Sequence, residues 1–225
     1  MARLEFLGHA SFILGLAGRA IVVDPWLNAK PPEVRREVGP STKADNIKKA
    51  DLVFITHDHY DHCDPYDVST LATRCFSHVI APEDALAKLN ISQRQKIAAI
   101  KGDKFNFLGI DVDVVEAVHP QASYAVGYVL GGEGKRVYFA GDTYDFYGMS
   151  QIQADVAVLP IGGTYTMDVL GAITALKKLR PKYVVPMHYN TFSRIHVDID
   201  DFAKRVKKET KTEPVVLSPG ESFDF

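Results

Sequence analysis

The sequence predicts an α/β fold in which two mixed β-sheets face each other with helices on their outer faces. Three observations carry this. Short apolar segments of strand length recur along the 225 residues; helical spacing appears only between some of them; and early hairpins give way to late β-α-β units. With 46% hydrophobic and 24% charged residues the composition is that of an ordinary globular chain, so none of the disordered or fibrous classes applies. The length suits one large domain, or two halves that share a core.

Taken in order, residues 4–7, 11–16 and 20–24 read as short strands, punctuated by Gly8 and by Ala17-Gly18-Arg19. Residues 25–45 carry Pro25, Pro31, Pro32 and Pro40 and read as a long surface loop. A loop of that length inside a compact domain is more often functional than idle. Residues 51–56 form a buried strand, and residues 77–81 another. Residues 65–74 and 82–89 read as helices, with Pro82 suited to a first helical turn. The middle is β-rich: residues 110–118, 124–130 and 136–140 alternate or run apolar, and Gly131-Gly132-Glu133-Gly134-Lys135 turns the last two into a hairpin. Strands at 155–159, 182–186 and 214–217 then alternate with helices near 168–180 and 198–209. A single domain, 1–225, is expected, its halves meeting near residues 100–115.

Charge and cysteine content narrow the function classes. A formal net charge of -2 sets up no global basic field for nucleic acid. No apolar run approaches the roughly 18–20 residues of a membrane span, and the start of the chain enters a strand-like pattern without the apolar core of a secretory signal. Cys63 and Cys75 are too few for a disulfide scaffold. The expectation is a cytoplasmic, thiol-containing protein whose partner is a small molecule, with no nucleic acid and no membrane; a homo-oligomer is compatible with this.

The most informative stretch is Ile55-Thr56-His57-Asp58-His59-Tyr60-Asp61-His62, which follows the apolar run Leu52-Val53-Phe54-Ile55. His57 and His59 are two apart, so in an extended segment they project to one side. Asp61 and His62 follow where the chain must turn, and can aim at a neighbouring point, which suits two adjacent metal ions better than one. Further donors sit at other strand ends: His119, Asp142 after Ala140-Gly141, and His188 after Val185-Pro186-Met187. Each, read singly, is more often a surface or satisfied polar residue. Together they occupy one kind of place, the loop end of an apolar strand.

The series HxHxDH, a strand-end His, Gly141-Asp142-Thr143 and a late His resembles the metallo-β-lactamase superfamily over nearly the whole chain. Gly8-His9-Ala10-Ser11-Phe12, Val23-Asp24-Pro25, Leu159-Pro160-Ile161-Gly162-Gly163-Thr164-Tyr165-Thr166-Met167-Asp168 and Pro186-Met187-His188-Tyr189-Asn190-Thr191-Phe192 are similar to the branch of small hydrolases that contains ascorbate-6-phosphate lactonase. The resemblance implies an αββα four-layer sandwich. It implies that His57, His59 and His119 hold one metal, that Asp61, His62 and His188 hold a second, that Asp142 bridges both, and that Asp24 supports the cluster loop from behind. Only Pro120-Gln121-Ala122-Ser123 stands where some members carry an insert, and the long arm of the tRNA-processing endonucleases is absent.

Seven nitrogen and oxygen donors without cysteine fit Zn²⁺, and the same donors accept Mn²⁺ or Fe²⁺. The function expected is a dinuclear metal-dependent hydrolase that attacks a small anionic ester or lactone with a hydroxide held between the metals. Catalytic roles are expected for Asp142 and for His9, the latter as proton donor to the leaving group. Tyr165, Tyr189 and Arg194 are candidates for orienting substrate, each with packing or a solvated surface position as the alternative. His78 and His196 are assigned to structure or surface, and Cys63 to a buried bystander thiol. The competing readings are a metal-dependent phosphodiesterase or nuclease, a metal-stabilised non-catalytic binding protein, and single-iron oxygen chemistry, the last disfavoured by the retained Asp61, His62 and His188. Elemental analysis of purified protein is expected to find about two equivalents of divalent metal, and His59→Ala or Asp142→Ala to abolish turnover in a chain that stays folded by circular dichroism.

Overall fold

Strand segments with alternating burial organise the molecule, a computed structural model that describes residues 2–29 and 31–225. In the first sheet, β1 (Arg3–Gly8), β2 (Ser11–Leu16) and β3 (Arg19–Val23) are antiparallel. A parallel run of β4 (Leu52–Phe54), β5 (His78–Ala81) and β6 (Lys96–Ala98) continues from β3. In the second sheet, β7 (Lys104–Phe107), β8 (Ile110–Glu116), β9 (Val126–Gly132) and β10 (Lys135–Phe139) are antiparallel. There β11 (Val156–Pro160), β12 (Tyr183–Met187) and β13 (Glu213–Pro214) extend from β10 in parallel. The last strand, β14 (Ser222–Asp224), returns to pair with β1, so each sheet has seven strands. The chain changes sheet between β6 and β7.

Four layers follow from the period of two along each strand. Ile21, Val23, Leu52, Phe54 and Ile80 point between the sheets and meet Val112, Val114, Tyr128, Leu130, Phe139 and Val158. The intervening Val22, Val53 and Val79 face outward, where Val68 and Leu71 of α1 (Pro65–Arg74) and Leu86 of α2 (Glu83–Ala87) cover them. On the other side Ala157, Leu159 and Val184 lie under Ile173 and Leu176 of α3 (Val169–Leu179) and Phe202 and Val206 of α4 (Ile199–Glu209). Strands buried on both faces read as unbroken apolar runs, and these do. Three of the helices start on an aspartate whose carboxylate accepts from backbone N–H groups of the first turn: Asp64, Asp168 and Asp198.

The expected fold class holds, and so does the hairpin: Glu133 and Gly134, both with positive φ, form a two-residue turn between β9 and β10. Three strands escaped the pattern, β6, β7 and β14, all short and half-exposed, so their apolar signal is one or two residues deep. The strand expected at 214–217 shrinks to Glu213–Pro214, followed by one more bond from the Val215 N–H to the Val184 carbonyl at 2.8 Å. Pro82 caps α2 rather than entering it.

The loop over residues 25–45, of which Lys30 lies outside the described residues, is not simply a surface loop. Trp26 and Leu27 are fully buried. Asp67 of α1 anchors them: its carboxylate accepts from the Leu27 N–H at 2.6 Å and from the Asn28 amide at 2.7 Å. Burial pushes the Asp67 carboxyl up to about 6. A carboxyl raised in the fold stabilises it most when protonated and loses that contribution as pH rises through the folded value. Wild-type unfolding stability, measured against Asp67→Asn, is therefore expected to fall between about pH 4 and pH 7. Asp67→Ala, which takes the acceptor from the buried Leu27 N–H, should cost about 1–3 kcal/mol in denaturant melts.

Candidate metal centre

The carboxyl ends of β1, β3, β4, β8, β10 and β12 meet on one rim of the sandwich, and each delivers polar residues there. β1 runs out into His9, β3 into Asp24, β4 into the 55–62 loop, β8 toward His119, β10 into Asp142 and β12 into His188. Loops at strand ends can aim side chains at a common point while the sheets behind them stay rigid. A single bridge between His57 and Ala125, reinforced by the Val126 N–H on the Thr56 carbonyl at 3.0 Å, ties the two sheets together at this rim.

All seven expected ligands converge. Donor atoms of His57, His59 and His119 lie within 4.8 Å of one another, and so do those of His57, His62 and Asp142. A third group joins His9, Asp61, His62 and His188. Asp142 stands between them: its Oδ1 is 3.2 Å from His62 Nε2, and its Oδ2 is 3.3 Å from His188 Nε2, 3.8 Å from His119 Nε2 and 4.0 Å from His57 Nε2. His188 Nε2 is also 3.6 Å from Asp61 Oδ2, and His59 Nδ1 is 3.3 Å from His119 Nε2. Donors around a tetrahedral ion with bonds near 2.05 Å stand about 3.3 Å apart, the scale of these separations.

The fit to metal rests on atoms that nothing else satisfies. His57 Nε2, His62 Nε2 and Asp142 Oδ1 are buried without a hydrogen-bond partner. The last two, 3.2 Å apart, are out of line for a bond to each other. Buried polar atoms left unpaired are costly, and metal binding at this point would satisfy all three. Burial lowers His57 well below the usual imidazole range and lowers His119 as well, so both are neutral and offer a lone pair. Burial opposes charge on Asp61 and Asp142, but the histidines beside them prevail and hold both carboxyls well below the usual range.

Behind the donors is a supporting shell. The Asp24 carboxylate accepts from the Thr56 N–H at 2.8 Å, the Thr56 hydroxyl at 2.7 Å and His62 Nδ1 at 2.8 Å, which leaves His62 Nε2 facing the cluster. His59 Nε2 lies 3.2 Å from the Gln121 carbonyl, which turns Nδ1 inward. Lys88, just after α2, holds Asp58 at 2.6 Å, and Asp84 of α2 accepts from Ser123 at 2.6 Å, so one short helix steadies both the His59 and the His119 loops. Asp24, His9 and His188 all adopt positive φ without being glycine. Such strain is tolerated where the surroundings over-determine it. Glycines make room: a Cβ on Gly162 would overlap the His188 carbonyl, and one on Gly141, itself at φ +60°, would press on Thr56 at 2.7 Å.

A cavity of about 890 Å³ opens over the cluster, lined by Asp61, Asp142, His59, His119 and His188 and walled by Arg35, Tyr60, Lys88, Tyr165, Phe192 and Arg194. Tyr165 and Arg194 are therefore on the wall, joined by an Arg194 to Tyr165 hydroxyl bond at 3.2 Å. Tyr189 packs among the α3 and α4 residues instead. Cys63 is buried, which pushes its thiol up to about 12 and makes it inert. His78 packs edge-on against Phe107, and His196 stands apart from the cavity. His9, expected as the proton donor, lies behind the cluster. Its side chain is fully buried and off the cavity wall, with Nε2 at 3.2 Å from Asp61 and Nδ1 at 2.9 Å from the Thr191 hydroxyl. The residues that sequence reasoning missed, Tyr60, Arg35 and Lys88, carry no pattern of their own; the length of the 25–45 loop was the one signal for Arg35.

Comparison with known proteins agrees with this geometry. The family described as Beta-lactamase superfamily domain matches residues 3–188. A UPF0173 metal-dependent hydrolase of Thermofilum pendens is 36% identical over 240 residues, covering 100% of both chains. Another, from Pyrococcus furiosus, is 35% identical over 241 residues with the same coverage. Among solved structures, Igni18, a metallo hydrolase from Ignicoccus hospitalis, matches with a TM-score of 0.85 at 33% identity, over 100% of this chain and 99% of its own. Two facing sheets with a histidine and aspartate cluster at their common rim define the class, a metallo-hydrolase with the αββα sandwich. The chain belongs to the metallo-β-lactamase superfamily and is a metal-dependent hydrolase within it. Asp24→Ala, which frees His62 to rotate, is expected to weaken metal binding about 10–100-fold in chelator competition.

Proposed function

We propose that the protein is a dinuclear hydrolase of a small anionic ester or lactone. The observation that supports this most is the place of Asp142 between two histidine groups on the floor of one cavity. His57, His59 and His119 would hold one ion, Asp61, His62 and His188 the other, and Asp142 both. The nitrogen and oxygen donor set suits Zn²⁺, with Mn²⁺ and Fe²⁺ accepted by the same ligands. When bound, such ions supply Lewis-acid polarisation and a water nucleophile active near neutral pH.

The chain's own residues define what the cavity admits. At about 890 Å³ it is sized for a small molecule. Of its three cationic wall residues, Lys88 is paired with Asp58. The Arg194 guanidinium bonds the Tyr165 hydroxyl, and among the described residues neither Arg194 nor Arg35 makes an ion pair. A guanidinium fork free of carboxylates is suited to a two-point grip on a substrate carboxylate or phosphate. Two such groups match one anion; a nucleic-acid strand needs a longer basic track. Tyr60 keeps its proton, because burial pushes its hydroxyl up to about 12, and so presents an O–H donor to the cavity at neutral pH.

Hydrolysis assays with a lactone, carboxylate-bearing and neutral p-nitrophenyl esters and bis(p-nitrophenyl) phosphate, with and without chelator, test the reading. Chelator-sensitive cleavage of the anionic ester or lactone is expected. Arg194→Met should raise KM for the anionic ester about tenfold, the value of one charge-assisted bond, and leave the neutral ester unchanged. Cleavage confined to the phosphodiester would replace this reading with the phosphodiesterase one, and full activity in metal-free protein would overturn both.

A further inference from the structure

His9 holds two residues of one metal-capable group at once, through different parts of itself. Its ring Nε2 lies 3.2 Å from Asp61 Oδ2, and its backbone carbonyl accepts the His188 N–H at 2.8 Å. The ring is fixed from behind by the Thr191 hydroxyl on Nδ1 at 2.9 Å and is enclosed by Trp26, Phe192 and His188, the last with its centroid 4.2 Å away. No solvent reaches the side chain. Gly8 and His9 both take positive φ to make this turn between β1 and β2, and His188 does the same after β12, so the two strained turns are bonded to one another.

From this geometry we propose that His9 is a positioning residue for the second metal: it donates from Nε2 to Asp61 and so presents the carboxylate to the ion shared with His62 and His188. The proton assignment follows from the partners. The Asp61 carboxylate can only accept, so the short contact with Nε2 requires the proton on that nitrogen. Nδ1 then accepts from the Thr191 hydroxyl, which donates to it at 2.9 Å in preference to the Tyr189 carbonyl at 3.4 Å. A chain from Thr191 through His9 to Asp61 thus selects one tautomer and one carboxylate rotamer. Carboxylates and imidazoles that orient ligands from behind commonly set metal affinity over one to two orders of magnitude. This inference rests on the dinuclear reading of the site, and its test separates the two.

The experiment is calorimetric titration of chelator-stripped full-length protein with Zn²⁺ alone, with chelator competition for affinities too tight to fit. Wild-type protein is expected to take up two equivalents. In His9→Ala the second equivalent should bind about 10–100-fold more weakly with the first unchanged. His9→Gln, which returns an N–H donor near the position of Nε2, should recover most of the loss. Thr191→Val, at the far end of the chain of bonds, should weaken the second equivalent alone, and it carries the test if His9→Ala does not fold. Two equivalents with wild-type affinities in both His9→Ala and Thr191→Val would overturn the role of His9. Equal loss in His9→Gln and His9→Ala would also overturn it, because His9 would then be a ligand rather than an orienting group. Wild-type protein that takes up a single equivalent would overturn the dinuclear reading itself.

Discussion

Two carboxylates, Asp61 and Asp142, are buried at the rim of the sandwich inside a shell of imidazoles, and the arrangement of everything around them answers to that. Removing an ionised carboxylate from water is costly unless charge and hydrogen bonds compensate it. Here the compensation comes from His62 and His188 and from a hydrogen bond with His9, with His57 and His119 near by as neutral rings. Nitrogens and an oxygen remain that no protein group satisfies. A site of this kind is incomplete without cations, which ties the metal dependence of the family to an imbalance visible in the protein alone.

The fold meets this constraint by dividing labour between sheets and loops. The sheets supply rigidity: their facing sides interlock through large buried residues such as Phe12, Phe54, Tyr128 and Phe139. The loops at the carboxyl ends then need only short range to bring donors together, and they use strained turns at His9, Asp24 and His188 to do so. Hydrogen bonds between loops hold that strain in place. Asp24 links the end of β3 to the start of the 55–62 loop, the His9 carbonyl links β1 to β12, and α2 grips both histidine loops of the first group. Side chains that look peripheral in sequence therefore decide the geometry at the centre.

The cavity is built from different material. Its floor is the cluster, but its wall comes from the 25–45 loop, Tyr60 of the 55–62 loop, the residue after α2 and the turns following β11 and β12. The first of these is anchored by Trp26, over whose ring the Arg36 guanidinium sits at 3.9 Å, and by the Glu37 N–H on the Thr191 carbonyl at 2.7 Å. The wall and the His188 loop are thus one connected unit. Arg194, whose side chain bonds the Tyr165 hydroxyl, offers a point where selectivity can vary on such a scaffold, whereas Lys88 serves both the wall and the His59 loop.

By itself the sequence determined the fold class, most elements and the seven side chains that converge at the rim. Strands buried on both faces leave continuous apolar runs, and metal donors leave a rare pattern, HxHxDH, at the end of one of them. Both signals are local, so they survive in one dimension. The weak edge strands β6, β7 and β14 were not legible, because a half-exposed strand of three or four residues carries little apolar signal. The tertiary structure alone decided the place of His9, which the sequence put beside a substrate and the fold buries behind Asp61. It also decided that Arg35, Tyr60, Lys88 and Arg194 share one wall, and that Tyr189 does not. Which way a side chain faces at a strand end depends on the turn that follows and on contacts from residues more than 50 or 180 positions away, as between His9 and Asp61 or Thr191. Spacing along the chain holds no record of those distances.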